Sequence, residues 1–265
     1  MRNLHITLRI INSSFQLEII QQIKFFFMKN RFLPLLLIAI SSFAQKVTIY
    51  GIGDSTMADK VKPNENPEHG WLQVFPSFLT KDAIVINKAV NGRSTKSFIN
   101  EKRCDSVYNV LRPGDYVFIQ FGHNDGKTTD SIRYTNPHTS YRYNLIRFVK
   151  EAREKGAIPI LFSSVMRRHF NEQGVLISTH IEYTQETRLI AQEFNVPYID
   201  LEYCTELLEL AYGPEKSKKL HLHFKPGENS YYPEGKEDDT HYSLLGANEV
   251  AKSTVNQILW GGFIR

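Results

Sequence analysis

Two short segments hold residue types that together perform acyl transfer. Gly51-Ile52-Gly53-Asp54-Ser55-Thr56 presents a serine straight after an apolar run, and Asp238-Asp239-Thr240-His241 presents a histidine three residues after a carboxylate. A serine hydroxyl attacks an ester carbonyl when a base takes its proton, and histidine serves as that base when a carboxylate holds its other ring nitrogen. The three-residue spacing lets a tight turn carry Asp238 to one nitrogen of His241 while the other faces Ser55. Asp239 is the competing partner. Asp54-Ser55-Thr56 also reads as a plain helix cap, since these residue types are preferred at that position.

The elements that must position these groups follow from hydrophobic pattern. Val47-Thr48-Ile49-Tyr50 predicts a buried strand that turns sharply at Gly53 into a helix, with Ser55 at the C-terminal edge of a sheet, where α/β folds bind ligands. The N–H groups of that helix N-terminus would stabilise negative charge in front of the serine. Further strands are expected at residues 83–87, 116–121, 158–162 and 197–200. Between them, Tyr141, Leu145, Val149 and Ala152 recur at helical spacing, as do Tyr183, Thr187, Ile190, Ala191 and Phe194. A last helix opens at Ser243 and turns Ala247, Val250, Ala251 and Ile258 to one side. Strand alternating with helix implies a parallel sheet covered on both faces. Asn91-Gly92-Arg93-Ser94, Gly122-His123-Asn124-Asp125 and Asp238 to His241 then reach the same sheet edge as Ser55. Residues 213–240, rich in Gly, Pro, His and Tyr, are expected to form one long irregular stretch.

Charge and length depend on what the first 44 residues are. Met28-Lys29-Asn30-Arg31, an apolar core from Phe32 to Ile40 and Ser42-Phe43-Ala44 read as a secretory signal peptide cleaved before Gln45. Residues 1–27 precede it and read as an over-called start, with Met28 the true initiator. The full chain has 32 basic and 28 acidic residues. Setting residues 1–44 aside removes five basic residues and one acidic, which leaves 27 of each. Bulk charge therefore gives no reason to expect a nucleic-acid partner. Residues 45–265 suit a single α/β domain, exported to the periplasm or beyond, with no membrane insertion once the signal is removed. Cys104 and Cys204 form no metal or redox motif, and export permits but does not require a bond between them.

Gly53-Asp54-Ser55, Gly92, Gly122-His123-Asn124-Asp125 and Asp238-x-x-His241 occur in the order of the four signature blocks of the SGNH/GDSL hydrolases, and the chain resembles that family across residues 45–265. The resemblance implies a flavodoxin-like three-layer α/β/α sandwich with a five-stranded parallel sheet in the order 2-1-3-4-5. It implies Ser55 as nucleophile, His241 as base, Asp238 as its orienting partner, and an oxyanion hole built from the Ser55 and Gly92 N–H groups and the Asn124 amide. Gly-Asp-Ser-Thr-Met-Ala, Gly70-Trp71, Asn91-Gly92-Arg93-Ser94 and the segment from Lys225-Pro226-Gly227-Glu228 to His241 resemble the rhamnogalacturonan acetylesterases of carbohydrate esterase family 12. That implies an acetylated polysaccharide as substrate and no cofactor. Related enzymes act on acetylated xylan.

Other residues carry two readings each. Asp54, Arg93 and His123 flank the motifs and are candidate sugar or acyl contacts, or satisfied loop residues. His221-x-His223 is a fragment of a metal site at best, and the acyl chemistry calls for no metal. Trp71 is assigned to packing, and Tyr231-Tyr232 either to a sugar platform or to the core. A silent carbohydrate-binding module is disfavoured by the intact Ser55, Asn124, Asp238 and His241. A flavodoxin-like phosphate binder is disfavoured by the bulky Asp54-Ser55-Thr56-Met57 run. No apolar lid segment favours a lipid or thioester hydrolase. The oligomeric state is not encoded in any of these patterns.

Overall fold

The computed structural model describes residues 46–263. The expected extension at 1–27, the signal peptide at 28–44 and the cleavage before Gln45 lie outside the described residues. Strand β1 (Val47–Gly53) comes first, and β2 (Glu68–His69), helix α1 (Trp71–Val74) and β3 (Ala83–Asn87) follow. Next come α2 (Thr95–Asn100), α3 (Asp105–Tyr108), β4 (Tyr116–Gln120), α4 (Arg142–Glu154) and β5 (Ile158–Phe162). The chain ends with α5 (Ile181–Glu193), β6 (Tyr198–Ile199), α6 (Leu201–Lys216), β7 (His221–Phe224), β8 (Lys236–Ser243) and α7 (Leu244–Gly261).

The main sheet has the order β3-β1-β4-β5-β6 with every pair parallel. With its five strands counted in chain order this is 2-1-3-4-5, as the resemblance implies. Side chains alternate across it. Tyr50, Ile52, Val117 and Ile119 face a core completed by Phe98, Tyr141, Leu145, Phe148 and Ile190. Ile49, Phe118, Ile160 and Phe162 face the opposite core, with Trp71, Phe75, Ala247, Val250 and Ile258. Both faces are therefore covered, which is why β4 is buried at every position. In the second core, Trp71, Phe75, Phe118 and Phe162 meet with centroids 4.9 to 5.9 Å apart. Each such aromatic ring contributes on the order of 2 to 3 kcal/mol by burial.

Two expectations are corrected. No helix follows Ser55. Met57 N and Ala58 N both reach Asp54 O, at 3.3 and 3.1 Å, and the turn stops there. A helix would give the Ser55 and Thr56 carbonyls to residues 59 and 60, but Lys60 Nζ takes the first at 2.5 Å and Trp71 N the second at 3.0 Å. Lys60 N is itself bound by Gln73 Oε1 at 3.0 Å. Tertiary partners thus outcompete the local ladder.

The second correction concerns residues 213–240. Helix α6 extends to Lys216 across a break at Gly213, and β7 and β8 pair antiparallel beside β2 in a small second sheet. His, Lys, Asp and Glu dominate these strands, so intrinsic strand preference gives little signal there. The expected helix start at Ser243 is present, with its hydroxyl accepting from Gly246 N at 3.3 Å. Cys104 and Cys204 are both free thiols, and burial pushes Cys104 up to about 12. Among the described residues no helix is long and apolar enough to cross a membrane.

Candidate active site

Three loops leave the C-terminal edge of the main sheet and are tied together beneath Ser55. Lys60 Nζ bridges Ser55 O and, at 2.7 Å, Asn91 Oδ1, with Glu68 2.8 Å away as its counter-charge. Val90 N donates to Gly53 O at 3.0 Å. Asp125, fully buried, accepts from Thr95 N at 3.1 Å and from the Thr95 and Thr135 hydroxyls at 2.6 and 2.7 Å, joining the loop after β4 to the start of α2. Burial pushes the Asp125 carboxyl up to about 7 against those donors. Gly122 opens that loop with φ +145°, and a β-carbon on it would stand 2.0 Å from Ser164 Oγ. Only glycine fits there.

Asp54, fully buried, supports the serine turn. Its Oδ1 accepts from Thr56 N at 3.0 Å and Thr56 Oγ1 at 2.8 Å, whereas Oδ2 has no partner among the described residues. Gln120 Nε2 donates to Thr56 Oγ1 at 2.9 Å, and Trp71 Nε1 donates to Gln120 Oε1 at 2.7 Å. Trp71 therefore packs in the core, as assigned, and also ends a buried polar string under the serine. Burial raises the Asp54 pKa, opposed by the Thr56 donors and the charges of His241 and Lys60.

The histidine arrives from the other sheet. Between the β7 and β8 partners Leu222 with Asp238 and His221 with Tyr242, residues 239–241 bulge outward. Asp238 Oδ1 closes the bulge by accepting from Thr240 N and His241 N at 2.9 and 3.0 Å. Its Oδ2 lies 2.9 Å from His241 Nδ1, and His241 Nε2 lies 2.9 Å from Ser55 Oγ. An ionised carboxylate only accepts, so Nδ1 carries the proton and Nε2 accepts from the serine hydroxyl. Burial raises the Asp238 pKa, but the His241 ring and the two backbone donors outweigh it and hold the carboxyl well below the usual range. Asp239 faces elsewhere, with Oδ1 2.7 Å from both Arg168 Nη1 and His223 Nε2.

His221 is structural rather than a metal ligand. Its Nδ1 donates to the His241 carbonyl at 3.1 Å and its Nε2 meets Glu209 Oε1 at 2.7 Å, in a fully buried pair. Among the described residues no group of three metal-ligating side chains occurs.

Gly92 has φ +75°, and Asn124 Nδ2 donates to Arg93 O at 3.1 Å, so the two expected oxyanion residues are on adjoining loops. Arg93 was expected either as a sugar or acyl contact or as a satisfied loop residue. Its guanidinium is occupied by Glu101 at 3.1 Å and Asn91 O at 2.9 Å. His123 is only 3% exposed, its two ring nitrogens lack partners among the described residues, and it stands edge-on to His180 at 4.3 Å. Tyr231 packs edge-on against Tyr232, which stacks on Phe224. Sequence reasoning missed Lys60, Gln120 and Glu209. Gln120 alone left a trace, an amide closing an otherwise apolar strand.

A serine, a singly protonated imidazole and a carboxylate in one hydrogen-bonded chain can activate the hydroxyl for acyl transfer. Residues 52–247 match the model of the GDSL-like lipase/acylhydrolase family. The chain belongs to that family. It is an ester hydrolase. The GDSL chain is 44% identical to the rhamnogalacturonan acetylesterase RhgT of Bacillus subtilis over 206 residues, covering 78% of this chain and 87% of the relative. It is 30% identical to a rhamnogalacturonan acetylesterase of Emericella nidulans, covering 89% and 93% of the two chains. Among solved structures, the YxiM protein of Bacillus subtilis superposes with a TM-score of 0.70 at 24% identity, covering 82% of this chain and 57% of that one. An acetylxylan esterase from Geobacillus stearothermophilus superposes with a TM-score of 0.55 at 19% identity, covering 80% and 94%. These two likenesses concern the fold.

Proposed function

We propose that this GDSL hydrolase is an exported serine esterase that removes acetyl groups from rhamnogalacturonan. The observation that carries the reading is the contact chain from Asp238 through His241 to Ser55, at 2.9 Å for each link, in a chain 44% identical to a rhamnogalacturonan acetylesterase. His241 takes the Ser55 proton as the hydroxyl oxygen bonds to the acetyl carbonyl carbon. The resulting oxyanion is held by the N–H groups of Ser55 and Gly92 and by the Asn124 amide. Collapse breaks the bond to the sugar oxygen, which leaves with the proton from His241. Water then repeats the cycle on the acetyl-serine and releases acetate. Loss of one oxyanion donor lowers turnover on the order of 100- to 1,000-fold.

Asn124 has a second, structural task in this reading. Its bond to Arg93 O holds the Gly92 loop against the loop after β4, so the donors are placed before substrate arrives. Export rests on the signal-like segment at 28–44, with Gln45 as the first residue of the mature chain. N-terminal sequencing of exported material tests that part. The activity is tested by acetate release from acetylated rhamnogalacturonan, acetylated xylan and a long-chain ester. Preference for rhamnogalacturonan supports the reading, and preference for xylan or the long-chain ester overturns it.

A further inference from the structure

The loop that carries Gly92 is a turn whose middle peptide can point two ways. Arg93 N donates to Val90 O at 3.3 Å, which closes a β-turn over residues 90–93 with Asn91 and Gly92 at its centre. Gly92, in the third place, has φ +75°, the pattern of a type II turn. Type I and type II turns differ mainly by a half-rotation of the central peptide, here Asn91 C=O with Gly92 N–H. That peptide is planar and trans, so its C=O and N–H point opposite ways and a half-rotation exchanges them.

The rest of the turn is anchored. Val90 N donates to Gly53 O at 3.0 Å, Asn91 Oδ1 accepts from Lys60 Nζ at 2.7 Å, and Arg93 O accepts from Asn124 Nδ2 at 3.1 Å. The Lys60 ammonium is buried and shared with Ser55 O and Glu68, so these anchors fix the place of the turn beside Ser55. None of them holds the central peptide. Among the described residues Gly92 N–H has no hydrogen-bond partner, and Asn91 O has one, Arg93 Nη1 at 2.9 Å. The same guanidinium is steadied from outside by Glu101, whose two oxygens lie 3.2 and 3.1 Å from its Nε.

We infer that Arg93 is a positioning residue that latches the Asn91–Gly92 peptide in the type II direction and so keeps the Gly92 N–H aimed as an oxyanion donor. The inference rests on the acyl-transfer mechanism proposed above. A charged donor on Asn91 O favours the direction in which that oxygen faces the guanidinium, and the N–H then points the other way. It also polarises the peptide, which strengthens the N–H as a donor. The flipped peptide would turn a carbonyl oxygen toward the developing oxyanion and repel it. Arg93 itself touches neither the sugar nor the reacting atoms. Gly92→Ala acts on the same flip from the other side. A β-carbon there would meet nothing nearer than the Arg133 guanidinium, 3.9 Å away, so alanine has room and is opposed by φ alone.

The test measures kcat and KM on acetylated rhamnogalacturonan and on a small neutral aryl acetate, and inhibition by trifluoroacetone. Ser55 Oγ bonds to the carbonyl carbon of that ketone, the serine proton passes to His241, and the ketone oxygen becomes an alkoxide in the oxyanion hole. Arg93→Met is expected to lower kcat on the order of tenfold on both esters, with KM within about twofold of wild type, and to weaken trifluoroacetone inhibition by the same factor as kcat. Arg93→Lys is expected to recover part of the loss, since an ammonium can also donate to Asn91 O. Gly92→Ala is expected to lose at least as much as Arg93→Met. The double variant is expected to lose much less than the product of the two single losses, because both substitutions release one flip.

Unchanged kcat in Arg93→Met would overturn the inference and leave the esterase reading intact. So would a loss confined to the polymer, which makes Arg93 a sugar contact, or a fall in kcat with trifluoroacetone inhibition unchanged, which puts the damage outside the oxyanion hole. Single losses that multiply in the double variant would also overturn it, since the two residues would then act separately. Wild type that hydrolyses neither ester would overturn the acyl-transfer mechanism and the inference with it.

Discussion

Asp238→Asn is the most informative single substitution, because the surroundings dictate how the new amide must sit. Asp238 Oδ1 faces two donors, Thr240 N and His241 N, so an asparagine must turn its carbonyl oxygen to that side. Its NH2 group then faces His241 Nδ1, which becomes the acceptor. The imidazole proton moves to Nε2, and Nε2 no longer accepts from Ser55 Oγ. The substitution thus leaves the bulge intact, reverses the tautomer and removes the charge that stabilises the imidazolium. An Asp→Asn change of this kind lowers turnover on the order of 10,000-fold in serine proteases, or about 5.5 kcal/mol at 1.36 kcal/mol per tenfold. Asp239→Asn removes a half-exposed carboxylate from Arg168 and His223, worth up to about 1 kcal/mol, so turnover should stay within about fivefold. The assay is acetate release from acetylated rhamnogalacturonan by both variants at one neutral pH, with melting curves to verify folding. Asp239→Asn proving the more damaging, or Asp238→Asn remaining within tenfold of wild type, would refute the tautomer argument.

Four further outcomes are expected. Ser55→Ala abolishes acetate release and keeps the wild-type circular dichroism spectrum, because only a hydroxyl is lost; activity within tenfold of wild type in esterase-free protein contradicts this. Gly122→Ala loses roughly 2 to 4 kcal/mol, about 5 to 10 °C in Tm, through its φ of +145° and the clash with Ser164 Oγ; an unchanged melt contradicts it. Glu209→Leu, which strands His221 in the core, loses about 3 kcal/mol or more in urea unfolding, whereas Glu209→Gln stays within about 1 kcal/mol because its amide can donate to His221 Nε2. The Asp238 carboxyl is depressed in the folded state, so its stabilisation is complete above about pH 4 and is lost as the pH falls through its folded value. The Tm gap between wild type and Asp238→Asn should therefore narrow on acidification below about pH 4, and a gap that widens there contradicts the assignment.

The parts legible in sequence were those with short-range grammar. The strands at 83–87 and 158–162, and the helix capped by Ser243, follow from apolar periodicity and a cap residue, which act within a few positions. The turn linking Asp238 to His241 is equally local, since a carboxylate three residues away can reach both the ring and the backbone. The missing helix after Ser55 was illegible because its carbonyls are claimed by Lys60 Nζ and by Trp71 N, neither of which belongs to the local ladder. Gln120 meets Thr56 at a separation of 64 positions, and Glu209 acts on His241 only through His221. Strands β7 and β8 gave no pattern because pairing, not residue preference, holds His221 and Asp238 in place.

The serine and its histidine are 186 positions apart, and the histidine reaches it on a strand that pairs with Glu68–His69 near the start of the domain. Protein synthesis proceeds from the amino end, so most of the main sheet emerges from the ribosome while Asp238 and His241 are still being decoded. On the proposed mechanism the growing polypeptide until then holds a serine with no base, and hydrolytic competence waits for His241 to be added. On that mechanism a ribosome that stalls, or a transcript cut short, anywhere before codon 238 yields an inert fragment rather than a poorly controlled esterase.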